Sequence, residues 1–360
     1  MIYLDYAATT PMTEKAIAAY CEVAKRYYGN SSSLHDAGGQ AQYFVEQARN
    51  VIAQALDRNK DGIIFTGSGT EGNILAILSL ALASKKGKHI ISSQAEHTSV
   101  HAALNTLEKM GYQITKLALQ QDGCIDIKQL RAAICEETAV ITIQHVNSEI
   151  GAIQPIEEIA RIAEENNVFI HVDCVQSFCK LPLQAQVDAI TVSAHKIGGP
   201  KGCGAVYINP KLQVPSLVPG VTHEKGLRGG TLDTPAIVAF ATAVEEYHYK
   251  RSHYETLRQY LKETLPKSCK LIETKNQLPN ICGVIMDKVE GQYVLLKLNE
   301  AGIGISTGSA CDIHSDSGTK AILSMGYSVA AARQFFRISF GEDTSIEDLQ
   351  KLSQTLLAIE

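Results

Sequence analysis

The stretch Ala189-Ile190-Thr191-Val192-Ser193-Ala194-His195-Lys196, with Ile197-Gly198-Gly199-Pro200-Lys201-Gly202 behind it, decides the fold. Its apolar, β-branched run reads as a buried strand, and the Gly/Pro turn ends it. A lysine held at such a strand end loses hydration and with it pKa, which a Schiff-base lysine requires. A single lysine beside a turn is ordinarily a solvated surface residue. The reading of Lys196 therefore depends on what else the chain places near it.

The same strand character recurs at 88–92, 113–117, 139–146, 168–172, 188–193 and 204–208. Helical runs at 70–84, 98–110 and 155–166 separate several of these, and helices at 13–28 and 38–57 lead into a further strand at 62–66. Near-continuous Val/Ile strands alternating with helices predict an α/β fold, a mostly parallel sheet covered on both faces. One or two long helices occupy 234–265, broken near Ser252. Beyond them come strand 280–287, helix 291–301, strand 303–307, helix 316–325, strand 335–339 and helix 344–358, a smaller α+β unit. At 360 residues the chain exceeds the usual size of one core. The expected division is a large cofactor-binding domain over 15–250 and a small domain formed by 1–14 with 251–360.

Two further motifs give Lys196 company. Thr66-Gly67-Ser68-Gly69-Thr70-Glu71-Gly72-Asn73 follows a strand and opens a helix. Glycines allow a close backbone approach, and a helix N-terminus offers unpaired N–H groups and a favourable dipole, so the segment can cradle a phosphate. It has neither the lysine of a P-loop nor the GxGxxG spacing, and an ordinary capped Gly-rich turn explains it equally well in isolation. Phe169-Ile170-His171-Val172-Asp173 is an apolar strand ending in an acid, at the sheet edge where open α/β folds collect ligands. A carboxylate there can pair with a pyridinium nitrogen. Phosphate cup, strand-end acid and strand-end lysine together form the recurring pyridoxal-phosphate arrangement.

Composition narrows the partners. Hydrophobic residues make up 45% and charged residues 20%, with a net charge of -5 and no long Lys/Arg run. That is a globular composition without an electrostatic footprint for nucleic acid or anionic membrane, so a small-molecule substrate is expected. The N-terminal Met1-Ile2-Tyr3-Leu4-Asp5 lacks a signal-peptide pattern, and no apolar run is long enough to span a bilayer, which predicts a cytoplasmic location. The nine cysteines form no CxxC pair and no Cys/His ligand spacing, so no metal site is expected.

With these motifs in hand, the chain strongly resembles the cysteine desulfurases of fold-type I, the NifS/IscS-like branch of the class V aminotransferases. The resemblance covers nearly the whole length. Its marks are LDYAATTP at 4–11, GNSSSLH at 29–35, the cup at 66–73, EHTSV at 96–100, HVNSEIG at 145–151, HVDCVQ at 171–176, SAHKIGGPKG at 193–202, RGGTLD at 228–233, STGSAC at 306–311 and FRISFG at 336–341. It implies that Lys196 is the Schiff-base lysine, Asp173 the partner of the ring nitrogen, Gln176 a contact to the ring hydroxyl and His97 the residue stacked on the ring. Gly69, Thr70, Ser193 and His195 would hold the phosphate, joined by Thr231 from the other subunit of a homodimer with a shared active site. Arg337 would grip the substrate carboxylate through its bidentate fork, with Asn30 as a helper.

The resemblance makes Cys311 the nucleophile that takes sulfur from L-cysteine as a persulfide, releasing alanine and supplying a sulfur-acceptor protein for iron–sulfur cluster, thio-cofactor or tRNA biosynthesis. His97 would serve as acid or base. Gly302, Gly304, Gly308 and Gly318 flank this cysteine, and His314, Ser315, Asp316 and Ser317 follow it as a polar loop. Three positions depart from the family pattern. Ser148 stands where relatives carry a second asparagine, leaving Asn147 or Ser148 to meet the ring hydroxyl. Asp312 adjoins the thiol, where a carboxylate raises its pKa. The chain ends at Glu360 without the longer C-terminal tail by which some relatives dock an iron–sulfur scaffold, and the identity of its sulfur acceptor is left open. The competing activities are selenocysteine lyase and class V aminotransferase, and outside enzymology a sulfur-carrier platform without turnover.

Overall fold

In the computed structural model, which describes residues 1–308 and 319–359, the large sheet is built from near-continuous apolar strands, as their sequence demands. The chain opens with β1 (Ile2–Tyr3), α1 (Glu14–Arg26), α2 (Asp36–Leu56), β2 (Ile63–Thr66), α3 (Gly69–Ala83), β3 (His89–Ser93), α4 (Thr98–Lys109) and β4 (Gln113–Leu117). It continues through α5 (Ile127–Ala133), β5 (Thr138–Gln144), α6 (Ile156–Glu165), β6 (Phe169–Asp173), β7 (Ala189–Ser193), β8 (Gly204–Ile208) and α7 (Thr234–Glu246). The seven strands lie in the order β2-β8-β7-β6-β5-β3-β4. Pairs from β7 to β4 are parallel, whereas β8 runs antiparallel to both β7 and β2.

Strand alternation sorts side chains onto two covered faces. Ile63, Phe65, Ile91, Ile141, Val172, Ile190 and Val192 share one apolar cluster with residues of α2, α6 and α7. Ile64, Ile90, Val140, Ala189 and Val206 point the other way, into a cluster with α3 and α4. With both faces occupied by helices, β5, β6 and β7 all end on the same side, and their C-terminal ends form the rim on which the polar residues collect.

The remainder is α8 (Arg251–Thr264), β9 (Cys269–Leu271), β10 (Ile281–Met286), α9 (Gly291–Glu300), β11 (Ile303–Gly304), α10 (Lys320–Ser324), α11 (Val329–Arg333), β12 (Phe335–Ser339) and α12 (Ile346–Leu357). β12, β10 and β9 form an antiparallel sheet, and β11 pairs with β1 in parallel. Phe336, Ile338 and Phe340 pack with Leu4, Leu257, Leu298 and Leu352 in a separate cluster. Because side chains alternate along β12, Arg337 is turned to the opposite face, toward the large sheet.

The helical run at 234–265 breaks at 247–250, earlier than expected. Tyr247 there packs on the large core, and Tyr249 donates from its hydroxyl to Asn280 Oδ1 at 2.8 Å. Burying those rings in two different directions ends α7. Among the described residues, no helix is long and apolar enough to cross a membrane.

Candidate active site

Lys196 is placed by three local features. β7 delivers it to the rim, a single 3-10 turn over Ala194–Lys196 follows, and Gly198 closes the turn at φ 83°. A side chain at Gly198 would strain the backbone and bring its Cβ within 2.7 Å of Thr13 Cγ2. The N-terminal segment is stitched over this turn: Thr10 N donates to His195 O at 2.9 Å and Thr13 N to Gly198 O at 2.9 Å. Lys196 Nζ in turn donates to Ala7 O and Ala8 O, both at 2.7 Å. Burial, then the charges of Arg337 and Lys180, push its pKa down to about 7, against the pull of Asp5 and Asp173.

A cavity of about 200 Å³ opens beside it, lined by Gly69, Thr70, His97, Ser148, Asp173, Gln176, Ser193, His195, Lys196 and Arg337 among others. Ten positions singled out in the sequence therefore meet in one place. Asp173 Oδ1 accepts from Val175 N at 2.9 Å and Oδ2 from Asn73 Nδ2 at 2.7 Å, so the carboxylate is held from two sides. Ser68 caps α3, its hydroxyl accepting from Glu71 N at 3.2 Å, and Ser68, Gly69 and Thr70 at the start of the helix line the cavity. Gly69 is required by proximity, since a Cβ there would lie 2.8 Å from Val175 Cγ2. His195 is held by Thr9 Oγ1 at 3.1 Å and is kept neutral, burial and the nearby Lys196 driving its pKa to about 4.

Arg337 is only 2% exposed. Its Nη1 donates to Ser148 O at 2.9 Å and its Nη2 to Asp5 Oδ1 at 2.7 Å. Of the two candidates at 147 and 148, Ser148 lines the cavity. Asn147 is committed to its own turn, with Oδ1 accepting from Glu149 N and Ile150 N and Nδ2 donating to Ala95 O. Asn147 is not among the residues that line the cavity. Asn30 and Thr231 are exposed and lie outside the cavity of their own chain, and Asn30 Oδ1 instead accepts from Ser32 N at 2.9 Å. Cys311 lies outside the described residues, as do His314 to Gly318.

Sequence reasoning passed over four residues here. Asn73 lines the cavity and binds Asp173; it follows Gly69 by four residues in α3, so helical spacing put it on the same face. Ser99 joins Asn73 to His97. Asp5 neutralises Arg337 across 332 residues of chain, for which local sequence holds no signal. Glu96 is buried, accepting from Ser93 Oγ at 2.6 Å and Gln144 N at 2.9 Å, and burial raises its pKa to about 8.

Several polar atoms at the cavity have no hydrogen-bond partner among the described residues: Ser193 Oγ, Gln176 Oε1, Asn73 Oδ1 and Arg337 Nε. Leaving such groups unmet costs about 1–3 kcal/mol each, so the site is built for a polar guest. The arrangement fits a phosphorylated pyridine aldehyde. Ser193 and the start of α3 suit a phosphate, Asp173 a protonated ring nitrogen, Gln176 a ring hydroxyl and the Lys196 amine a carbonyl. Among the described residues no cluster of His, Cys, Asp and Glu could hold a metal ion.

A family model described as Aminotransferase class-V matches residues 2–352. A Bacillus subtilis strain 168 protein bearing the NifS name is 41% identical over 100% of this chain and 94% of its own. The cysteine desulfurase IscS of Dictyoglomus turgidum is 36% identical over 97% of this chain and 91% of its own. A solved structure of a NifS-like protein superposes with a TM-score of 0.91 at 29% identity, covering 99% of this chain and 98% of that one. One described as SspA in complex with cysteine gives 0.85 at 34% identity, covering 94% of this chain and 99% of that one.

Proposed function

Because the chain belongs to the class V aminotransferase family, we propose that it is a pyridoxal-phosphate-dependent cysteine desulfurase, converting L-cysteine to L-alanine and passing the sulfur on through a persulfide at Cys311. The observation that carries this reading is the meeting of Lys196, Asp173 and Arg337 in one cavity. An amine of lowered pKa, a fixed acid and a carboxylate-binding guanidinium are what an amino-acid substrate and this cofactor require together. The relatives named as cysteine desulfurases select the reaction within the family.

Pyridoxal phosphate, when bound, supplies an electron sink for the substrate α-carbon. Gly69, Thr70, Ser193 and His195 would hold its phosphate, Asp173 would keep the proton on its ring nitrogen, Gln176 with Ser148 would face its hydroxyl, and His97 would cover the ring. Arg337 takes the substrate carboxylate, which fixes the α-carbon relative to Lys196. With a pKa near 7, Lys196 Nζ can take the α-proton and return it without a large free-energy cost in either direction. The Cys311 thiolate attacks the substrate sulfur. An S–S bond forms, the substrate C–S bond breaks with its electron pair left on the carbon skeleton, and protonation of that carbon completes alanine. Cysteine and enzyme thiol thus become alanine and enzyme persulfide, with no added oxidant.

The working unit we envisage is a cytoplasmic homodimer, in which Thr231 is supplied to the neighbouring subunit's phosphate site. The exposure of Thr231 away from its own cavity supports this. A sulfur-acceptor protein serving iron–sulfur cluster or thio-cofactor assembly completes the cycle. The test is Cys311→Ala: the variant keeps its yellow cofactor and loses alanine release, and mass spectrometry of the parent after cysteine treatment shows one added sulfur on Cys311. Undiminished alanine release from the variant would redirect the reading to selenocysteine lyase or aminotransferase chemistry.

A further inference from the structure

A chain of hydrogen bonds runs beneath the cavity from Asp173 to His97. Asn73 Nδ2 donates to Asp173 Oδ2 at 2.7 Å and to Ser99 Oγ at 2.9 Å, and Ser99 Oγ meets His97 Nδ1 at 2.7 Å. The backbone N–H of Ser99 also donates to His97 Nδ1, at 3.2 Å, because His97 is the N-cap of α4. Asn73 is 1% exposed and Ser99 3%, so water does not compete for these groups.

The proton positions follow from which groups can only donate or only accept. An ionised carboxylate only accepts, so the amide nitrogen of Asn73, and not its oxygen, faces Asp173. Both amide protons are then committed, one to Asp173 and one to Ser99. A backbone N–H can only donate, so His97 Nδ1 must be the acceptor in its bond with Ser99 N. The Ser99 hydroxyl, already accepting from Asn73, is left to donate its one proton to the same Nδ1. A neutral His97 ring receiving two donors at Nδ1 carries its proton on Nε2.

We propose that Asn73 and Ser99 are positioning residues that hold His97 as the Nε2–H tautomer, so that His97 enters the reaction as a proton donor through Nε2 and not as a base. Taking a proton at Nδ1 would break two hydrogen bonds at once, and Nε2 has no lone pair to offer until it has given its proton away. The same amide that fixes the tautomer also fixes the Asp173 carboxylate. Asp173, which would meet the ring nitrogen, and the histidine are thereby oriented by one side chain, Asn73, four residues after Gly69 in α3. The catalytic part of this inference rests on His97 lying against the reacting groups, as in the function proposed above; the tautomer itself does not.

The experiment is long-range ¹H–¹⁵N correlation NMR on resting, cofactor-loaded protein labelled in histidine, with the His97 signals identified by their loss in His97→Gln. The expected spectrum has an unprotonated, pyridine-like Nδ1 and a protonated, pyrrole-like Nε2. Ser99→Ala, which deletes the hydroxyl donor and leaves only the backbone N–H on Nδ1, shifts both nitrogens part of the way toward the averaged values of a tautomer mixture, and Ser99→Thr, which keeps a hydroxyl, returns them. A protonated Nδ1 in the parent, or a Ser99→Ala spectrum identical to it, would overturn the proposal. No substrate is present in this measurement, so its outcome is independent of whether cysteine is desulfurated, and a failure of the alanine assay would leave it standing.

Discussion

Arg337 Nη2 donates to Asp5 Oδ1 at 2.7 Å, so the guanidinium assigned to the substrate carboxylate already holds a carboxylate from the N-terminal segment. The same segment accepts the Lys196 amine at Ala7 O and Ala8 O. Residues 5–8 therefore hold both the Arg337 guanidinium and the Lys196 amine in position, and Ser339, in β12, ties the segment down by accepting from Ala7 N at 2.9 Å. Substrate binding is expected to add a ligand to a prepositioned arginine and not to recruit a mobile one.

Replacing Arg337 by Lys keeps the charge but loses the planar fork that reaches Asp5 and Ser148 O while presenting a further edge. Charge-assisted bonds of this kind contribute about 1.5–3 kcal/mol, or roughly 10- to 100-fold. Steady-state assays of Arg337→Lys should show that loss in kcat/KM for cysteine, carried mainly by a raised KM.

The lowered pKa of Lys196 predicts a pH dependence with a definite sign. Only the neutral amine attacks an aldehyde, and the group titrates near 7 in the folded protein against 10.5 ordinarily. The rate at which cofactor-free protein takes up pyridoxal phosphate should fall as pH drops through about 7 and level off above it, as followed by visible absorbance. Between pH 7 and about 10.5 the unfolded chain binds a proton that the folded one does not, so this group makes stability rise with pH across that window. A plateau reached only near pH 10 would show that burial fails to act on Lys196.

The fold was largely legible because its strands are long enough to carry a pattern. Ile63–Thr66, Gln113–Leu117, Gly204–Ile208 and Phe335–Ser339 lie where their β-branched runs placed them. Short elements were not legible. Cys269–Leu271, Ile127–Ala133 and Val329–Arg333 are too brief for a period to emerge from the surrounding residues. The strand expected at 303–307 pairs only as Ile303–Gly304, because Ser306 turns to bridge Arg337 instead. In the site, Lys196, Asp173 and the cup were readable as strand and helix ends. Asp5 was not, since an ion pair across 332 residues exists only once the fold has formed. Asn147 looked chemically suitable, but its side chain is spent on its own turn.

Glycine substitutions separate a needed close approach from mere helix content. A Cβ on Gly69 would press on Val175 Cγ2 at 2.8 Å and shift the N-terminus of α3, whereas at Gly39, in α2, nothing lies within 4 Å. Gly69→Ala should weaken cofactor retention on dialysis severalfold. Gly39→Ala should leave retention unchanged and raise Tm, since alanine is favoured over glycine within a helix by roughly 0.5–1 kcal/mol.

The buried pair Arg49–Glu224 ties the turn at Glu224 and Lys225, which precedes Thr231, to α2 and β2. Arg49 Nη2 and Nη1 donate to the two oxygens of Glu224 at 2.8 and 3.0 Å, and Phe65 N donates to Glu224 Oε2 at 2.6 Å. Both side chains are nearly buried, at 8% and 3% exposure, and the turn they hold contains two residues in the left-handed region, Glu224 at φ 45° and Lys225 at φ 59°. Non-glycine residues persist there only when surrounding contacts hold them. Arg49→Met would leave the Glu224 carboxylate buried without its cation, a loss of about 3–5 kcal/mol read as a large fall in Tm. Adding Glu224→Gln removes the stranded charge while keeping an acceptor for Phe65 N, so the double variant should recover at least half of the lost stability. If it recovers none, the pair matters through the shape of the turn and not through charge. Arg228 Nε, a few residues on, donates to Glu71 Oε1 of α3 at 2.9 Å, so slackening this turn should also weaken cofactor retention in Arg49→Met.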